Sequence, residues 1–321
     1  HKNYNNRNMK NIYKNSPKNL SKAKKILKKN NVIAVPTETV YGLAGNSYSD
    51  FAVKKIYKLK KRPKKNPLII HYHSLSNLER DAHINDKFLN LYKKFSPGAL
   101  TYILRKKRDS KISSLANGNL KSIAVRFPSN KTIRNLLKNL NFPLAIPSAN
   151  ISSNVSPTKA KDVFDEFGKK INFILDGGAS KIGLESTVIN LYGKVKILRP
   201  GAINPNQIKK VLKKKISILK KSKKINSPGL LKKHYSPGIP IKLNCKKSDK
   251  KAAFIVFGKK YKKTNNVFNL SRRGDLKEAG KNLYKMLRKI KNLKYKKINV
   301  VKIPNKNIGI AINDRLKRAS K

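Results

Sequence analysis

Lys60 and Arg62 stand two positions apart, just past a helix-like run and before Pro63. In an extended segment such a pair points the same way and can grip phosphate oxygens. Ser148 and Asn150 flank Ala149 after Pro147. A hydroxyl and an amide at a strand end can bind a phosphate, a metal's water shell or a ribose, although Ser and Asn also fill turns routinely. Arg126 and Arg199 each close an apolar run, good positions for holding a carboxylate or phosphate. His71 closes another. Taken singly, none of these residues carries an assignment, since paired cations mean little in a chain this basic and a strand-end His is common. Their placement gives them weight. The segment Pro36-Thr37-Glu38-Thr39-Val40-Tyr41-Gly42-Leu43 follows the apolar run Val32–Val35, and Asn66-Pro67 precedes Leu68–Ile70. Hydroxyls, cations and a His thus gather at strand ends, where α/β proteins place small anionic ligands.

Other chemistries are not indicated. The sequence has no serine nucleophile elbow, no Walker phosphate loop and no dinucleotide glycine fingerprint, and Gly42-Leu43-Ala44-Gly45 is too short and wrongly placed for these. His71 and His73 share a strand face without a third ligand, so no preformed metal site is expected.

The elements that must position these groups alternate. Ser16-Pro17 opens a helix over Leu20–Lys29, with Ser16 as cap. A strand Val32–Val35, a helix Ala52–Leu59 capped by Asp50 and a strand Leu68–Ile70 follow. Further strands are expected at Leu100–Leu104, Ile123–Phe127, Leu144–Ile146 and Phe173–Leu175, and helices at Phe88–Tyr92, Thr132–Leu140 and from Pro157 through Phe167. Thr187–Leu191 and Val195–Leu198 read as a hairpin around Tyr192-Gly193-Lys194. From residue 216 to 242 basic residues, Pro and Gly break the pattern, which predicts a linker. Strands Ala252–Val256, Val267–Leu270 and Ile298–Ile303 then alternate with helices Leu276–Ile290 and Gly309–Ala319, indicating a small parallel α/β domain over 243–321. Residues 1–15 are polar and expected to be a disordered extension.

With Lys+Arg 77 against Asp+Glu 15, the formal charge is +62 over 321 residues. That charge suits a polyanion, bound through its phosphates. It is spread along the chain rather than gathered in a stripe, as a Lys/Asn-rich coding bias would also produce. Cys245 is the sole cysteine, which rules out an intramolecular disulfide and fits a reducing, cytoplasmic setting. No apolar run approaches the roughly 20 residues of a membrane helix, so no membrane partner is expected.

Together the ordered segments resemble a known family. Pro36–Leu43, Lys60-x-Arg62-Pro63-x-x-Asn66-Pro67-Leu68, Pro147-Ser148-Ala149-Asn150, Ser156-Pro157-Thr158, Glu185-Ser186-Thr187-Val188-Ile189 and Leu198-Arg199-Pro200-Gly201 look like the YrdC-like domain of threonylcarbamoyl-AMP synthases. Ser227-Pro228-Gly229, His234-Tyr235-Ser236-Pro237 and Gly309–Ala319 look like the two-domain form. The resemblance implies an α/β fold: a YrdC-like twisted open sheet with helices over 16–215, a linker and active-site lid over 216–242, and a smaller Rossmann-like parallel C-terminal domain. It implies formation of threonylcarbamoyl-adenylate and pyrophosphate from L-threonine, bicarbonate or CO2, and ATP with Mg2+. The product would pass to a threonylcarbamoyl-transferase complex that modifies tRNA.

By the same resemblance, Lys60, Arg62, Ser148 and Asn150 form the catalytic tetrad. Arg62, Asn66, Ser122, Ser148, Ser156, Arg199, His234 and Tyr235 contact ATP, and Thr39, His71, Arg126, Ile146 and Ser186 form the threonine pocket. Ile151-Ser152-Ser153 stands where the family often has Leu-Ser-Gly, which puts the loop's backbone angle in question. Two alternatives share the fold. One is a module that binds tRNA or double-stranded RNA, or acts in ribosome maturation. The other is a carbamoyltransferase of hydrogenase maturation, whose cysteine-rich zinc fingers a single cysteine excludes.

Overall fold

The computed structural model describes residues 9–219 and 234–321. The chain joins its larger sheet earlier than its polar start suggests. Strand β1 (Ile12–Lys14) pairs in parallel with Ile174–Asp176, and Tyr13 stacks on Phe173 at 4.4 Å. Ile12–Lys14, expected in the disordered extension, thus belong to the sheet, and residues 1–8 lie outside the described residues. One aromatic and one Ile suffice to seat an edge strand that composition alone hides.

From β1 the chain runs through α1 (Pro17–Lys28), β2 (Ile33–Val35), β3 (Gly42–Asn46), α2 (Asp50–Lys60), β4 (Ile69–His71), α3 (Leu75–Leu78) and α4 (Asp86–Phe95). It continues through β5 (Leu100–Arg105), β6 (Ser122–Arg126), α5 (Lys131–Lys138), β7 (Leu144–Ala145), α6 (Ala160–Phe167), β8 (Ile174–Asp176), β9 (Thr187–Asn190), β10 (Lys196–Arg199), α7 (Pro205–Leu212) and β11 (Ser217–Ile218). These strands form an 11-stranded mixed sheet in the order β1-β8-β2-β3-β7-β4-β6-β5-β9-β10-β11.

The smaller unit holds β12 (Ile241–Lys242), β13 (Ala253–Val256), β14 (Val267–Asn269), α8 (Leu276–Asn292), β15 (Ile298–Val300) and α9 (Gly309–Ala319). Its sheet order is β12-β15-β13-β14 and every pairing is parallel, as the alternation of strands and helices predicts. No helix among the described residues is long and apolar enough to cross a membrane.

Caps act where the sequence places them, with small displacements. Ser16 accepts from the Asn19 amide at the start of α1. At α2 the cap is Ser49, which accepts from Ala52, and Asp50 is already the first helical residue. The helix expected from Pro157 begins at Ala160, because Asp162 holds the Thr158 and Lys159 amides in a turn ahead of it. The expected linker 216–242 contributes β11 and β12 to the two sheets, pairing with β10 and β15. The run Lys220–Lys224 and Ser227-Pro228-Gly229 lie outside the described residues.

Strand β3 was invisible as an apolar run, since its Gly and Ala residues carry little hydrophobic signal. Its position needs Gly42. A Cβ there would collide with the Ile146 side chain, while the Leu43 amide donates to the Pro147 carbonyl at 2.9 Å. This close approach brings the segment after β7, which carries Ser148 and Asn150, against β3.

Register does the rest. One row of strand partners across β4, β6, β5, β9 and β10 reads His71, Arg126, Thr101, Val188, Arg199. On the same face, Ile69, Ile103, Ala124 and Val188 form a small apolar cluster. The sheet thus lays an apolar floor and sets two arginines in one row beside it.

Candidate active site

A small, partly open pocket lies over this floor. Three cations line it, Arg62, Arg126 and Arg199, each fixed in the same way. Arg62, two residues past the end of α2, donates through Nε to the Asn66 carbonyl, and through Nη2 to Asn66 Oδ1 and the Pro67 carbonyl. Arg126, at the end of β6, donates through Nε to the Gly98 carbonyl and through Nη2 to Glu38, at 2.5 Å. Arg199, at the end of β10, donates through Nε and Nη2 to the Ser186 carbonyl and through Nη2 to Ser186 Oγ. No described residue bonds the Nη1 group of any of the three. Three guanidinium groups are held rigid while one donor group on each remains for a ligand, an arrangement suited to an anion with several oxygens.

Lys60 sits beneath this layer rather than in the wall. It is 1% exposed and donates from Nζ to the Ser148 carbonyl at 2.5 Å and the Asn150 carbonyl at 2.6 Å. Burial, with Arg62 nearby, drives its ammonium well below the ordinary lysine range. Arg62 is pulled down to about 10, chiefly by burial. Two cations are being crowded where no carboxylate offsets them at contact distance, which is what a site awaiting an anion requires.

Asn150 is fully buried, with Nδ2 bonded to the Ile151 and Asn154 carbonyls and Oδ1 without a partner among the described residues. The loop it opens turns at Ser153, whose φ is +75°. The left-handed angle that a glycine would supply is therefore kept by a serine, at a cost of about 1–2 kcal/mol. Ser153→Gly should raise the unfolding free energy by about 1 kcal/mol in urea titration and leave turnover unchanged. An unchanged midpoint would mean that the loop carries no such strain.

Of the residues expected in the site, the pocket wall gathers Thr39, Arg62, Arg126, Ile146, Ser148, Ser186, Arg199, His234 and Tyr235. Lys60 and Asn150 support it from behind. Asn66 orients Arg62, and its own Nδ2 lacks a partner among the described residues. His71 is buried, with Nδ1 3.1 Å from the Ile69 carbonyl. A carbonyl only accepts, so the proton is on Nδ1 and Nε2 carries the lone pair. Burial and Arg126 drive this imidazole well below the ordinary range, keeping it neutral. Ser156 is bonded to Glu185 at 2.6 Å and Ser122 lies at the start of β6, and neither lines the pocket.

Two acids were not singled out from the sequence. Glu185 lines the pocket, and Glu38 fixes Arg126. The signal available was their rarity, since a carboxylate in so basic a chain is conspicuous. Burial works to raise Glu185, but Arg315 and Arg199, with hydrogen bonds from Ser156 and Arg315, outweigh it and hold the carboxyl at about 2.

Comparisons with known proteins agree with this geometry. The profile of a family described as "Telomere recombination" matches residues 25–201, and that of "Threonylcarbamoyl-AMP synthase, C-terminal domain" matches residues 203–321. A threonylcarbamoyl-AMP synthase of Bacillus subtilis is 34% identical over 94% of this chain and 92% of its own length. The chain belongs to the two-domain threonylcarbamoyl-AMP synthase family. A Pyrococcus abyssi member is 35% identical over 92% of each chain. The crystal structure of P. abyssi Sua5 complexed with L-threonine superposes with a TM-score of 0.88 at 33% identity, covering 96% of each chain. The family's two-domain α/β architecture is thus the one observed here.

Proposed function

We propose that this protein is a nucleotidyltransferase that forms threonylcarbamoyl-adenylate and pyrophosphate from L-threonine, bicarbonate or CO2, and ATP. The observation that carries this reading is the set of three arginines, each with Nη1 left for a ligand, around one pocket of a synthase-family chain. In this reaction the threonine amine is first carboxylated. A carbamate oxygen then attacks the α-phosphorus, and the bond to the bridging oxygen of pyrophosphate breaks. No protein nucleophile is needed. The protein must align the reactants and neutralise charge.

The residues divide by chemistry. Arg62 and Arg199 offer Nη1 donors to phosphate oxygens. Lys60 spends two of its three N–H donors on carbonyls and has the third for the phosphates. Arg126, on the far side of the floor, takes the threonine carboxylate, with Thr39, Ser186 and Ile146 around the side chain. His71, neutral with its lone pair on Nε2, accepts from a substrate N–H or hydroxyl. His234 and Tyr235 are buried against the wall and exclude water from a labile product. Mg2+ arrives on the ATP phosphates. Among the described residues no three His, Cys, Asp or Glu side chains cluster to hold an ion.

The adenylate would be consumed in the cytoplasm by a threonylcarbamoyl-transferase complex acting on tRNA, and the +62 charge favours RNA nearby. The test is pyrophosphate release from MgATP and bicarbonate with and without L-threonine, other amino acids serving as controls. Release should require threonine and bicarbonate together. Release indifferent to threonine, or none from the folded protein, would remove this reading.

A further inference from the structure

The smaller domain reaches into the pocket wall through one carboxylate. Arg315, on α9, is wholly buried and donates from Nε to Glu185 Oε2 at 2.8 Å, and from Nη1 to the Pro200 carbonyl at 2.9 Å. Tyr284, on α8, donates to Glu185 at 2.8–2.9 Å. The same two side chains pack on the ring of Tyr235. The Arg315 guanidinium lies 4.8 Å from the Tyr235 ring centroid, and Tyr284 stacks on that ring at 5.9 Å. Tyr235 in turn packs on His234 at 3.9 Å, and both line the pocket.

A second contact braces the Asn150 loop. Arg288, also on α8, bonds the Val155 carbonyl and lies 3.8 Å from Glu166. Glu166 accepts from the Ile151 amide and Asn154 Nδ2. The lid closes this arrangement, because the Ser236 amide donates to the Ser153 carbonyl at 2.8 Å. Between these contacts the interface is apolar: Val40, Val155 and Leu184 pack in the smaller domain's core.

We infer that Arg315, assisted by Tyr284, is a positioning residue for the proposed reaction, neutralising Glu185 and seating Tyr235 so that the pocket is complete only with the smaller domain docked. This inference rests on the reaction proposed above. The physical need is plain. A bare carboxylate in the wall of a polyphosphate site would repel the substrate, yet Glu185 is also what draws Arg315 and Ser156 into place. The buried pair solves both, and it makes the domain interface part of the site rather than a remote support.

The test uses the full chain. Arg315→Gln should lower kcat for threonine-dependent pyrophosphate release by about 10²-fold, with KM for threonine within about threefold. Arg315→Lys should recover part of the loss, because it keeps the charge opposite Glu185. Tyr284→Phe, which keeps the ring under Tyr235, should lose about tenfold. In hydrogen exchange, the peptide spanning 234–238 should exchange faster in Arg315→Gln while the strand peptide 298–301 stays protected. Arg273→Gln, at an exposed pair with Glu278, should match the wild type.

Wild-type kcat in both Arg315→Gln and Tyr284→Phe overturns the inference. So does exchange that rises equally in both peptides, the mark of a merely structural contact. Should Arg315→Gln not fold, Tyr284→Phe and Arg315→Lys decide the matter by the same readouts. Absence of threonine-dependent release from the wild type would instead defeat the reaction, and the exchange comparison would still decide whether Arg315 seats the lid.

Discussion

Lys60→Met is expected to lower threonine-dependent pyrophosphate release by about 10³-fold, the scale of removing a preorganised donor from a developing charge. The reason is the layer in which Lys60 sits. Its ammonium is buried, depressed by desolvation and by Arg62, and tied to the carbonyls of Ser148 and Asn150. Phosphate oxygens within its reach would favour its charged form. Methionine fills the same volume without charge, so the helix end stays packed. Both substitutions leave two buried carbonyls without a donor, each loss about 1–3 kcal/mol, and alanine is the poorer probe because it opens a cavity as well. Circular dichroism should therefore show a folded Lys60→Met with a lowered melting temperature. Arg62→Ala, which also releases Asn66 and Pro67, should fall comparably. Retention of more than a tenth of wild-type kcat by folded Lys60→Met would show that this charge does not act in the reaction.

Much of this site was legible in the sequence because its residues stand at strand ends beside Pro and Gly, where ordered motifs survive without an alignment. Arg126 and Arg199 could be placed at strand ends, but not in one row, since register depends on partners far apart in the chain. The layer to which Lys60 belongs was equally hidden. Spacing put Lys60 beside Arg62, whereas α2 ends between them, so that one points back under the Asn150 loop and the other into the pocket. The early strand β1 and the weakly apolar β3 escaped notice because pairing and close packing, not hydrophobic content, make them strands.

Acidic residues were the underused signal. The chain has 15 carboxylates against 77 cations, and only some of them stand in exposed ion pairs such as Lys161–Asp165 and Arg273–Glu278. Several are structural acceptors. Asp81 takes hydrogen bonds from Tyr48, Tyr72 and Ser110, Asp162 starts α6, and Asp176 receives Tyr41. Glu166, Glu185 and Glu38 do the same for parts of the pocket. Rarity alone does not mark a buried donor set, since Glu79, Asp86, Asp109 and Asp249 are exposed; what sets Glu38, Glu166 and Glu185 apart is the donors packed around them.

Glu38 makes the sharpest case. It accepts from Arg126 Nη2 and from the Ser129 and Asn130 amides, at 5% exposure. Burial raises its carboxyl, but the charge and hydrogen bond of Arg126, with the backbone amides, prevail and hold it below its usual value of 4.5. A lowered folded-state value means stability that is fully present above the unfolded value and is lost as pH falls through the folded one. Glu38→Gln is thus expected to destabilise by about 3–5 kcal/mol at neutral pH, since it leaves Arg126 buried without its counter-charge. The gap between wild type and variant should narrow as pH falls below about 4.5, because the wild type then protonates the same acid. Denaturant unfolding of both proteins across that range measures it directly. A constant difference at every pH would show that the loss comes from shape rather than charge. The same variant should weaken threonine about tenfold in KM, as Arg126 is freed from the geometry that aims its Nη1 group. Unchanged KM in a destabilised variant would confine Glu38 to holding the fold.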